Sequence, residues 1–490
     1  MKRVTLYCLT IVLFAAAPLH AQPDSLWSRT YGGDHNEGCT SLIQTADGGY
    51  ALGGYTRSFG AGESDFWLVR TDENGDSLWS RTYGGKVNDG CYSLIQTTDG
   101  GFALAGYTSS FGAGQHDFWL VRTDENGDSL WSHTYGGQRS DACYIHFQTS
   151  DGGYVLAGYS NSFGAGDFDF WLVRTDENGD SLWSRTFGGQ DWDMCESLVQ
   201  TADGGFALAG FTSSFGSGEY DFWLVKTDKN GDSLWSRTYG GQNIDYCNSL
   251  VQTSDGGYAL VGDTDSFGAG RDDFWLVRTD ENGDSLWSRT YGGGGNEWCN
   301  SLVQTEERGF ALAGMTWSIG AGEGDFWLLR TNENGDSLWS RTYGGQNQDN
   351  CSSLILTTEG GYALAGGTQS FGAGEYDFWL VKLGPENSIP NNGVMTPVMF
   401  GLNGVYPNPF NSQAVASYEL RVASWVSLEL YDLSGRMVHS IMDGWQAAGL
   451  HQAVIDASGQ PGMSILPSGV YLLKLTDGRQ EALSKICLVR

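Results

Sequence analysis

The tripeptide Leu-Trp-Ser recurs along the chain every 52 residues, with no insertion or deletion between copies. An Asp-Phe-Trp tripeptide and a single cysteine keep the same period, from Trp67 to Trp379 and from Cys39 to Cys351. A fixed period of this length is the signature of a repeat protein, in which each unit stacks on the next. The period therefore constrains the fold strongly and says little about any one site. The tryptophans of Leu-Trp-Ser are Trp27, Trp79, Trp131, Trp183, Trp235, Trp287 and Trp339.

One repeat contains four short apolar runs separated by turn-forming segments. In the first copy the runs begin at Cys39, Tyr50, Asp65 and Ser77, and Asp-Gly-Gly, Gly-Ala-Gly and Asn-Gly sequences separate them. Short runs rich in aromatic and branched residues indicate β-strands, and Asn-Gly favours a tight hairpin. Each repeat is thus predicted to be a four-stranded antiparallel sheet that must bury both faces against its neighbours. Such sheets arranged radially form a β-propeller.

The two ends of the repeat region complement each other. Residues 24–31 have the sequence of a fourth strand with no repeat before it, whereas the last repeat stops after its third strand, at Leu383. We expect residues 24–31 to supply the outer strand of the seventh blade, because this closes the ring and removes a free sheet edge. The alternative is an open solenoid, in which the missing strand of the last repeat would not need to be matched by an extra strand at the N-terminus. The prediction is an all-β, seven-bladed β-propeller over residues 22–383.

Charge and the N-terminal sequence restrict the classes of partner. The formal net charge is −31 over 490 residues, which argues against nucleic acid because phosphate contacts require Lys and Arg. Residues 1–21, with Lys2 and Arg3 before an apolar stretch, are typical of a secretory signal peptide cleaved after Ala21. No later segment is long and apolar enough for a transmembrane helix. We expect a soluble, monomeric, exported protein.

The sequence changes character after Leu383. Residues 384–403 are rich in Pro, Asn and Gly and match no repeat, so they are predicted to be a linker. Residues 404–490 contain new strand-like runs with turns at Leu433-Ser-Gly and Pro467-Ser-Gly, which predict a small antiparallel β-sandwich. Its motif residues are Tyr406, Pro407, Asn408, Pro409, Phe410, Gly435, Arg436, Gly469, Tyr471 and Lys485.

These motifs, their order and their terminal position resemble the type A sorting domain of the type IX secretion system. The resemblance implies export across the outer membrane by the type IX secretion machinery, followed by anchoring at the cell surface or by release. An ordinary terminal binding module is the alternative for this region. The repeats resemble seven-bladed propeller repeats of exported bacterial proteins through Tyr-Gly-Gly, Asp-Gly-Gly-Tyr and Gly-Tyr-Thr, which implies no specific activity.

Comparison of the repeats with one another shows where they differ. Variation concentrates after Tyr-Gly-Gly, as at 34–38, and just before Asp-Phe-Trp, as at 63–64, and strand direction places both sets on one face of the disc. Binding residues gather in loops on a rigid scaffold, so this face is a candidate surface for a glycan or a surface protein. Drift in tolerant loops is the alternative. The candidate binding residues are Trp192, Tyr246, Trp298, Trp317, His116, Tyr220 and Tyr376.

One position within the variable loops is acidic in every repeat. Converging carboxylates would bind a hard cation such as calcium, whereas separate carboxylates would each accept backbone N–H groups of their own turn. Both alternatives remain open from the sequence. The Asp72–Asp76 turn also has oxygen atoms at alternate positions but lacks the glycine and distal glutamate of a calcium loop, so we expect a hairpin turn. The acidic residues are Glu37, Asp89, Asp141, Asp193, Asp245, Glu297 and Asp349.

No combination of residues predicts catalysis. An active site needs different groups in one place, and the clear departures from the repeat are few: His146 and Phe147 in the third copy and 306–308 in the sixth. The cysteine column is expected to be buried between blades, because a seven-fold ring suits tetrahedral zinc poorly. We expect a binding or adhesion module without a cofactor, unless calcium binds. A secreted polysaccharide-active enzyme and a structural surface protein are the alternatives.

Overall fold

The computed structural model describes residues 20–21, 25–388, 401–406, 413–420, 424–432, 435–446, 449–457, 466–476 and 481–488. Every regular element in these ranges is a β-strand, and none of them holds a helix that could cross a membrane. The chain divides into two compact units, residues 1–389 and 390–490. Most of the predicted signal peptide, residues 1–19, lies outside the described residues, and His20–Ala21 pairs with Asn387–Ser388.

The first unit contains seven four-stranded antiparallel sheets, six of them built from one repeat each. The first strand of each blade is innermost, because the first strands of neighbouring blades contact one another around the ring. The strands are, in blade 1, Glu37–Gln44, Tyr50–Thr56, Asp65–Thr71 and Ser77–Tyr83; in blade 2, Asp89–Gln96, Phe102–Thr108, Asp117–Thr123 and Ser129–Tyr135; in blade 3, Asp141–Gln148, Tyr154–Ser160, Asp169–Thr175 and Ser181–Phe187; in blade 4, Asp193–Gln200, Phe206–Thr212, Asp221–Thr227 and Ser233–Tyr239; in blade 5, Asp245–Gln252, Tyr258–Thr264, Asp273–Thr279 and Ser285–Tyr291; in blade 6, Glu297–Gln304, Phe310–Thr316, Asp325–Thr331 and Ser337–Tyr343; and in blade 7, Asp349–Leu356, Tyr362–Thr368, Asp377–Leu383 and Ser25–Tyr31.

The N-terminal strand closes the ring, as predicted. Ser25–Tyr31 pairs antiparallel with the third strand of blade 7, with Trp27 opposite Lys382 and Tyr31 opposite Phe378. The first strand of blade 1 also contacts the inner strands of blade 7. The fold is therefore a seven-bladed β-propeller whose last blade combines both ends of the repeat region.

Aromatic pairs between third strands hold neighbouring blades together. Successive side chains of a strand point to opposite faces, so the Phe and Trp of each Asp-Phe-Trp sequence face different neighbours. Phe66 contacts Trp119 with ring centroids 4.7 Å apart, and Phe378 contacts Trp67 at 4.6 Å across the closure. Each pair contributes roughly 0.5–1.5 kcal/mol beyond the apolar area that it buries. The other junctions have the pairs Phe118–Trp171, Phe170–Trp223, Phe222–Trp275, Phe274–Trp327 and Phe326–Trp379.

In blades 1 to 6 the turn between the third and fourth strands joins the blade to the preceding one. In blade 1 the Asp72 carboxylate accepts two backbone N–H groups of its own turn, and Gly75 has φ +77, which the hairpin requires. Arg29 of blade 7 pairs with Asp76 at 3.2 Å, and the Tyr31 hydroxyl donates to the Gly75 carbonyl at 2.6 Å. The oxygen atoms of this turn therefore stabilise the hairpin itself and a contact between two blades.

The cysteine column is buried between blades, in agreement with its predicted packing role. All seven cysteines of this column are free thiols. Burial raises the pKa of Cys91 to about 12, so this thiol stays neutral and unreactive near neutral pH. Its Sγ lies 3.5 Å from the Ser93 carbonyl oxygen, beside a β-bulge in the first strand.

The predicted linker, residues 384–403, is shortened at both ends. Glu386 accepts hydrogen bonds from Arg330 of blade 6 at 2.9 Å and from the Tyr362 hydroxyl of blade 7, so the chain remains attached to the propeller beyond Leu383. At the other end a strand already begins at Gly401. Residues 389–400 lie outside the described residues.

The second unit is the small antiparallel β-sandwich expected at the C-terminus. Its two sheets share one apolar core, which includes Tyr418 and Ile455 from one sheet and Leu428, Leu473 and Ile486 from the other. The three-stranded sheet contains Gly401–Tyr406, Gln413–Leu420 and Gly449–Asp456. The four-stranded sheet contains Met437–Gln446, Ser424–Asp432, Gly469–Thr476 and Glu481–Leu488.

The motif residues of this unit serve its turns and strands. Gly435 has φ +83 in a turn in which Arg436 pairs with Asp432 at 3.1 Å. The Tyr471 hydroxyl donates to the Pro467 carbonyl at 2.6 Å. Tyr406 ends one strand, Gly469 begins another, and Lys485 is exposed on the last. Pro407, Asn408, Pro409 and Phe410 lie outside the described residues.

Arg308 carries local backbone strain that the other repeats avoid. Among the described residues it is the one non-glycine with positive φ (63°), and the same position in blade 5 is Gly256, with φ +92. Since a left-handed conformation costs an L-residue roughly 1 kcal/mol, Arg308→Gly should raise the free energy of unfolding by about that amount. Denaturant titration measures the change. The matched control Gly256→Arg should lower stability, and an unchanged Arg308→Gly variant would contradict the assignment.

His146 should make the propeller sensitive to acid. Its ring is 2% exposed, its Nδ1 lies 2.9 Å from the Ser93 hydroxyl, and burial lowers its pKa to about 3. The unfolded chain therefore binds more protons below about pH 6.5, and stability falls as the pH decreases. We expect His146→Leu, which restores the residue of the other six blades, to gain about 2 kcal/mol at pH 5 relative to its effect at pH 8. Equal gains at both pH values would refute this.

A candidate ligand-binding site at the channel mouth

The two variable loop sets meet at each junction between blades. The Asp89 N–H donates to the Ser64 carbonyl of the preceding blade at 2.8 Å, and Glu37 makes the same bond with Tyr376 across the ring closure. Both sets therefore lie on the same face, as the strand directions predict. They surround the end of the central channel at which the first strands begin, which we call the channel mouth.

The structure does not bring the seven acidic side chains of these loops together. Asp89 is fully buried and accepts hydrogen bonds from the Gly85 N–H at 2.8 Å, the Ser110 hydroxyl at 2.8 Å and the Thr108 hydroxyl. No three His, Cys, Asp or Glu side chains in the described part of the chain are grouped to hold a metal. Each carboxylate instead fixes the loop of its own blade. The same glycine N–H bond occurs at Glu37, Asp141, Asp193, Asp245, Glu297 and Asp349.

Two facing columns at the channel mouth differ between blades. They are the second residue of each first strand and its cross-strand partner on the second strand. In blade 1 a methyl group at Gly38 would lie 2.4 Å from the Tyr55 ring, so Tyr55 requires a glycine opposite it. In blades 4 and 6 both partners are large. The pairs are Gly38–Tyr55, Gly90–Tyr107, Ala142–Tyr159, Met194–Phe211, Tyr246–Asp263, Trp298–Met315 and Asn350–Gly367.

A third variable column follows the cysteine of each first strand, at the extra residue of a β-bulge. Its side chains reach across to the next blade: Thr40 donates to the Cys91 carbonyl at 2.9 Å, and Asn248 donates to the Cys299 carbonyl at 3.0 Å. A bulge re-aims a side chain and is frequent beside functional sites. The column reads Thr40, Tyr92, Tyr144, Glu196, Asn248, Asn300 and Ser352.

Four consecutive blades line one cavity of about 450 Å³, which we call the mouth cavity. Its walls are aromatic: Phe211 meets Tyr246 edge to face, with ring centroids 4.7 Å apart. Trp298 is held by an edge-to-face contact with Trp317 at 4.5 Å and by an Nε1–H bond to Asp272 at 3.4 Å. These contacts fix the rings before any ligand arrives. The lining residues are Phe211, Ile244, Tyr246, Asn248, Asp263, Asp272, Trp298, Asn300 and Asn350.

Asp263 is the most deeply placed charged group of the mouth cavity. It is 6% exposed, and one carboxylate oxygen accepts the Asn248 amide at 3.1 Å. Burial, and then the nearby Asp272 carboxylate, raise the pKa of Asp263 well above its usual range. The carboxyl therefore holds its proton to a higher pH than an ordinary aspartate does. Perturbed acids in a cavity mark candidate functional sites.

The side chains of blades 1 to 4 at the channel mouth differ chemically from those of the mouth cavity. Tyr92 lies 5.8 Å from Tyr107 and 4.7 Å from Tyr144, measured between ring centroids. A cavity of about 290 Å³ is lined by Tyr92, Tyr107 and Arg57, among others. Glu196 of blade 4 interacts electrostatically with Tyr144, and burial raises the pKa of Glu196 to about 8. The channel mouth thus has a tyrosine-rich side and an acidic, amide-rich side.

The structure brings four of the predicted binding residues together. Tyr246 and Trp298 line the mouth cavity, while Tyr220 and Trp317 contact those two rings at 5.2 and 4.5 Å.

Three other predicted binding residues lie apart from the mouth cavity. Trp192 is 44% exposed in its loop, His116 packs on Tyr107 at 4.8 Å, and the Tyr376 hydroxyl donates to Gln348 at 2.6 Å. These residues belong to the same face and do not converge on one site.

Sequence comparison missed the polar residues of the mouth cavity. Asp263, Asn248 and Asn300 lie inside predicted strands, where residues were expected to serve packing alone. The candidate binding residues came from the variable loops. A signal was present: the residue after each cysteine and the sixth residue of each second strand change chemical type from blade to blade.

Comparison with known proteins identifies the C-terminal unit. Residues 404–489 match the family described as the secretion system C-terminal sorting domain. The molecule is therefore a seven-bladed β-propeller protein with a type IX sorting domain. It is secreted across the outer membrane, to be attached at the cell surface or released. No curated protein matches the chain.

Two solved structures are distantly similar to the chain. A fungal alcohol oxidase of the AA5 family in complex with copper aligns with 11% identity and a TM-score of 0.46, over 96% of this chain and all of that chain. A glucose dehydrogenase aligns with 11% identity and a TM-score of 0.35, over 60% of this chain and 96% of that one. Similarity at this level says nothing about the ligand or activity of the present chain.

Glu196 should make stability depend on pH in the opposite sense to His146. Its pKa of about 8 is higher than that of a glutamate in the unfolded chain, so the folded state binds the extra proton and stability falls as the pH rises toward 8. We expect Glu196→Gln to raise the melting temperature at pH 8 and to leave it nearly unchanged at pH 4.5. The exposed Glu219→Gln serves as control. A gain that is independent of pH would contradict the raised pKa.

Proposed function

We propose that this protein is an exported binding or adhesion module whose ligand, a glycan or a surface protein, binds in the mouth cavity. The supporting observation is that the differences between blades are concentrated at the channel mouth. Seven nearly identical blades differ at the columns that line the channel mouth, and the differences there combine aromatic walls with amide and carboxylate groups. Binding pockets generally pair apolar walls with a few well-placed polar groups.

The geometry favours binding with little rearrangement. Phe211, Tyr246 and Trp298 are already fixed by ring contacts and by the hydrogen bond to Asp272. A preorganised site avoids the cost of ordering side chains on association. The sorting domain supplies the route by which this site reaches the cell exterior.

Paired tryptophan variants test the location of the site. We expect purified protein to bind selectively on an array of cell-surface glycans and proteins, and Trp298→Ala to abolish that binding. Trp192→Ala makes the same chemical change in an exposed loop outside the cavity and should retain binding. Asn300→Ala provides a second cavity variant, and melting temperatures verify folding. Loss of binding with Trp192→Ala alone would place recognition on the loops, and no binding at all would favour a structural role.

Glycan hydrolysis is the second candidate. It is favoured by the presence of two carboxyl groups in one cavity, Asp263 with a raised pKa and Asp272. General acid catalysis on glycosides uses such a protonated acid beside an ionised one. Both groups, however, already accept hydrogen bonds from the protein, from Asn248 and Trp298 respectively. Release of reducing ends from any bound glycan, lost in Asp263→Asn, would establish this alternative in place of binding alone.

A further inference from the structure

We propose that the mouth cavity is built to take a primary ammonium group, such as a lysine side chain or a free alkylamine. This deepens the proposed function and rests on it. A primary ammonium carries a positive charge and three N–H donors and has no acceptor. The complementary site has several acceptors close together, negative charge, and an apolar wall for the alkyl stem.

The asparagine amides set the polarity of the cavity. Asn248 Nδ2 donates to the Asp263 carboxylate at 3.1 Å and to the Cys299 carbonyl at 3.0 Å. Because a backbone carbonyl can only accept, the amide orientation is determined, and both N–H bonds are used. Asn300 repeats the arrangement, with 2.7 Å to the Cys351 carbonyl and a longer bond to an amide oxygen in blade 7. Each of these amides has only its Oδ1 acceptor left for a ligand.

The charges of the cavity have one sign. Asp263 and Asp272 line it, and no Lys or Arg does. The second carboxylate oxygen of Asp263 has no hydrogen-bond partner among the described residues, although the side chain is 6% exposed. Arg271, which precedes Asp272, is exposed and is not part of the lining. An anionic ligand would thus meet repulsion, whereas a cation would satisfy the free carboxylate oxygen.

The aromatic walls suit an organic cation better than a metal ion or a sugar. Ammonium groups are attracted to ring faces, and the methylene groups beside them pack on the same rings. A cavity of about 450 Å³ without three grouped metal-ligating side chains is too open to coordinate a bare metal ion. Sugar hydroxyls donate and accept in equal measure. Once Asp263 is ionised, the acceptors Asp263, Asn248 and Asn300 lie together without a donor left among them.

Proton release would accompany this binding. Asp263 holds its proton to a raised pH because of burial and then because of Asp272. The other titratable groups that interact with it bring no positive charge; they are Asp245, Tyr246, Cys247 and Cys299. An ammonium group favours the carboxylate form and displaces that proton. Affinity should therefore increase as the pH rises, up to the pH at which the alkylamine, with a pKa of about 10.4, begins to lose its own proton.

Calorimetry of the full chain tests the proposal with matched ligands. The probes are a lysine-containing peptide, the same peptide with its lysines Nε-acetylated, and 1,5-diaminopentane. We expect the first and third to bind with proton release, and acetylation to weaken binding by about tenfold or more. Asp263→Asn, an isosteric change, should cause a similar loss, while Asp167→Asn in an exposed loop of the same face should cause none. A lysine peptide that binds more tightly than the diamine identifies a protein source, and the reverse identifies a small molecule.

The opposite results would overturn the proposal in distinguishable ways. Equal binding of the acetylated peptide would establish the cavity as a site for a neutral ligand, which leaves the proposed function intact. Binding of calcium without binding of either amine would replace the ammonium with a metal ion. If no amine binds while a glycan binds in the array and loses affinity in Trp298→Ala, the ammonium assignment fails and the binding function stands. If nothing binds in either experiment, both fail.

Discussion

The contact between a phenylalanine and a tryptophan on neighbouring third strands is the interaction on which this molecule depends. It recurs at all seven junctions, and the Phe378–Trp67 pair closes the series. Because the same pair recurs at every junction, neighbouring blades pack against each other through the same contact. Ser25–Tyr31 completes the last blade of the closed ring. The loops of the channel mouth are carried by this ring.

A scaffold held by repeated contacts leaves other positions free to change. At the channel mouth Gly38 lies opposite Tyr55, whereas Tyr246 lies opposite Asp263. The side chains presented to the channel therefore differ from blade to blade. Asymmetry of this kind leaves the pairing of the strands unchanged. It places aromatic walls and acceptor groups in blades 4 to 7 and a tyrosine cluster in blades 1 to 3.

Comparison of the repeats found residues whose role depends on their immediate neighbours in the sequence. It missed residues whose role depends on contacts between distant parts of the chain. Tyr246 and Trp298 were identified because large aromatic residues are conspicuous in polar loops, and both line the mouth cavity. The acidic column was correctly located near the channel mouth, but Asp89 and its equivalents face their own loops. Asp263 was overlooked because it replaces an aromatic residue inside a strand. Its burial and its bond to Asn248 exist only in the folded ring.

The sequence by itself determined the number of blades, the strands in each blade, the closing strand and the C-terminal sorting domain. These follow from short-range patterns: the 52-residue period, turn chemistry and motif order. Only the tertiary structure decided which side chains meet, and which acids lose contact with water. Residues that line one cavity, such as Phe211 and Asn350, come from blades far apart in sequence. Their convergence depends on strand register, on the bulge after each cysteine and on ring closure, which no local pattern encodes.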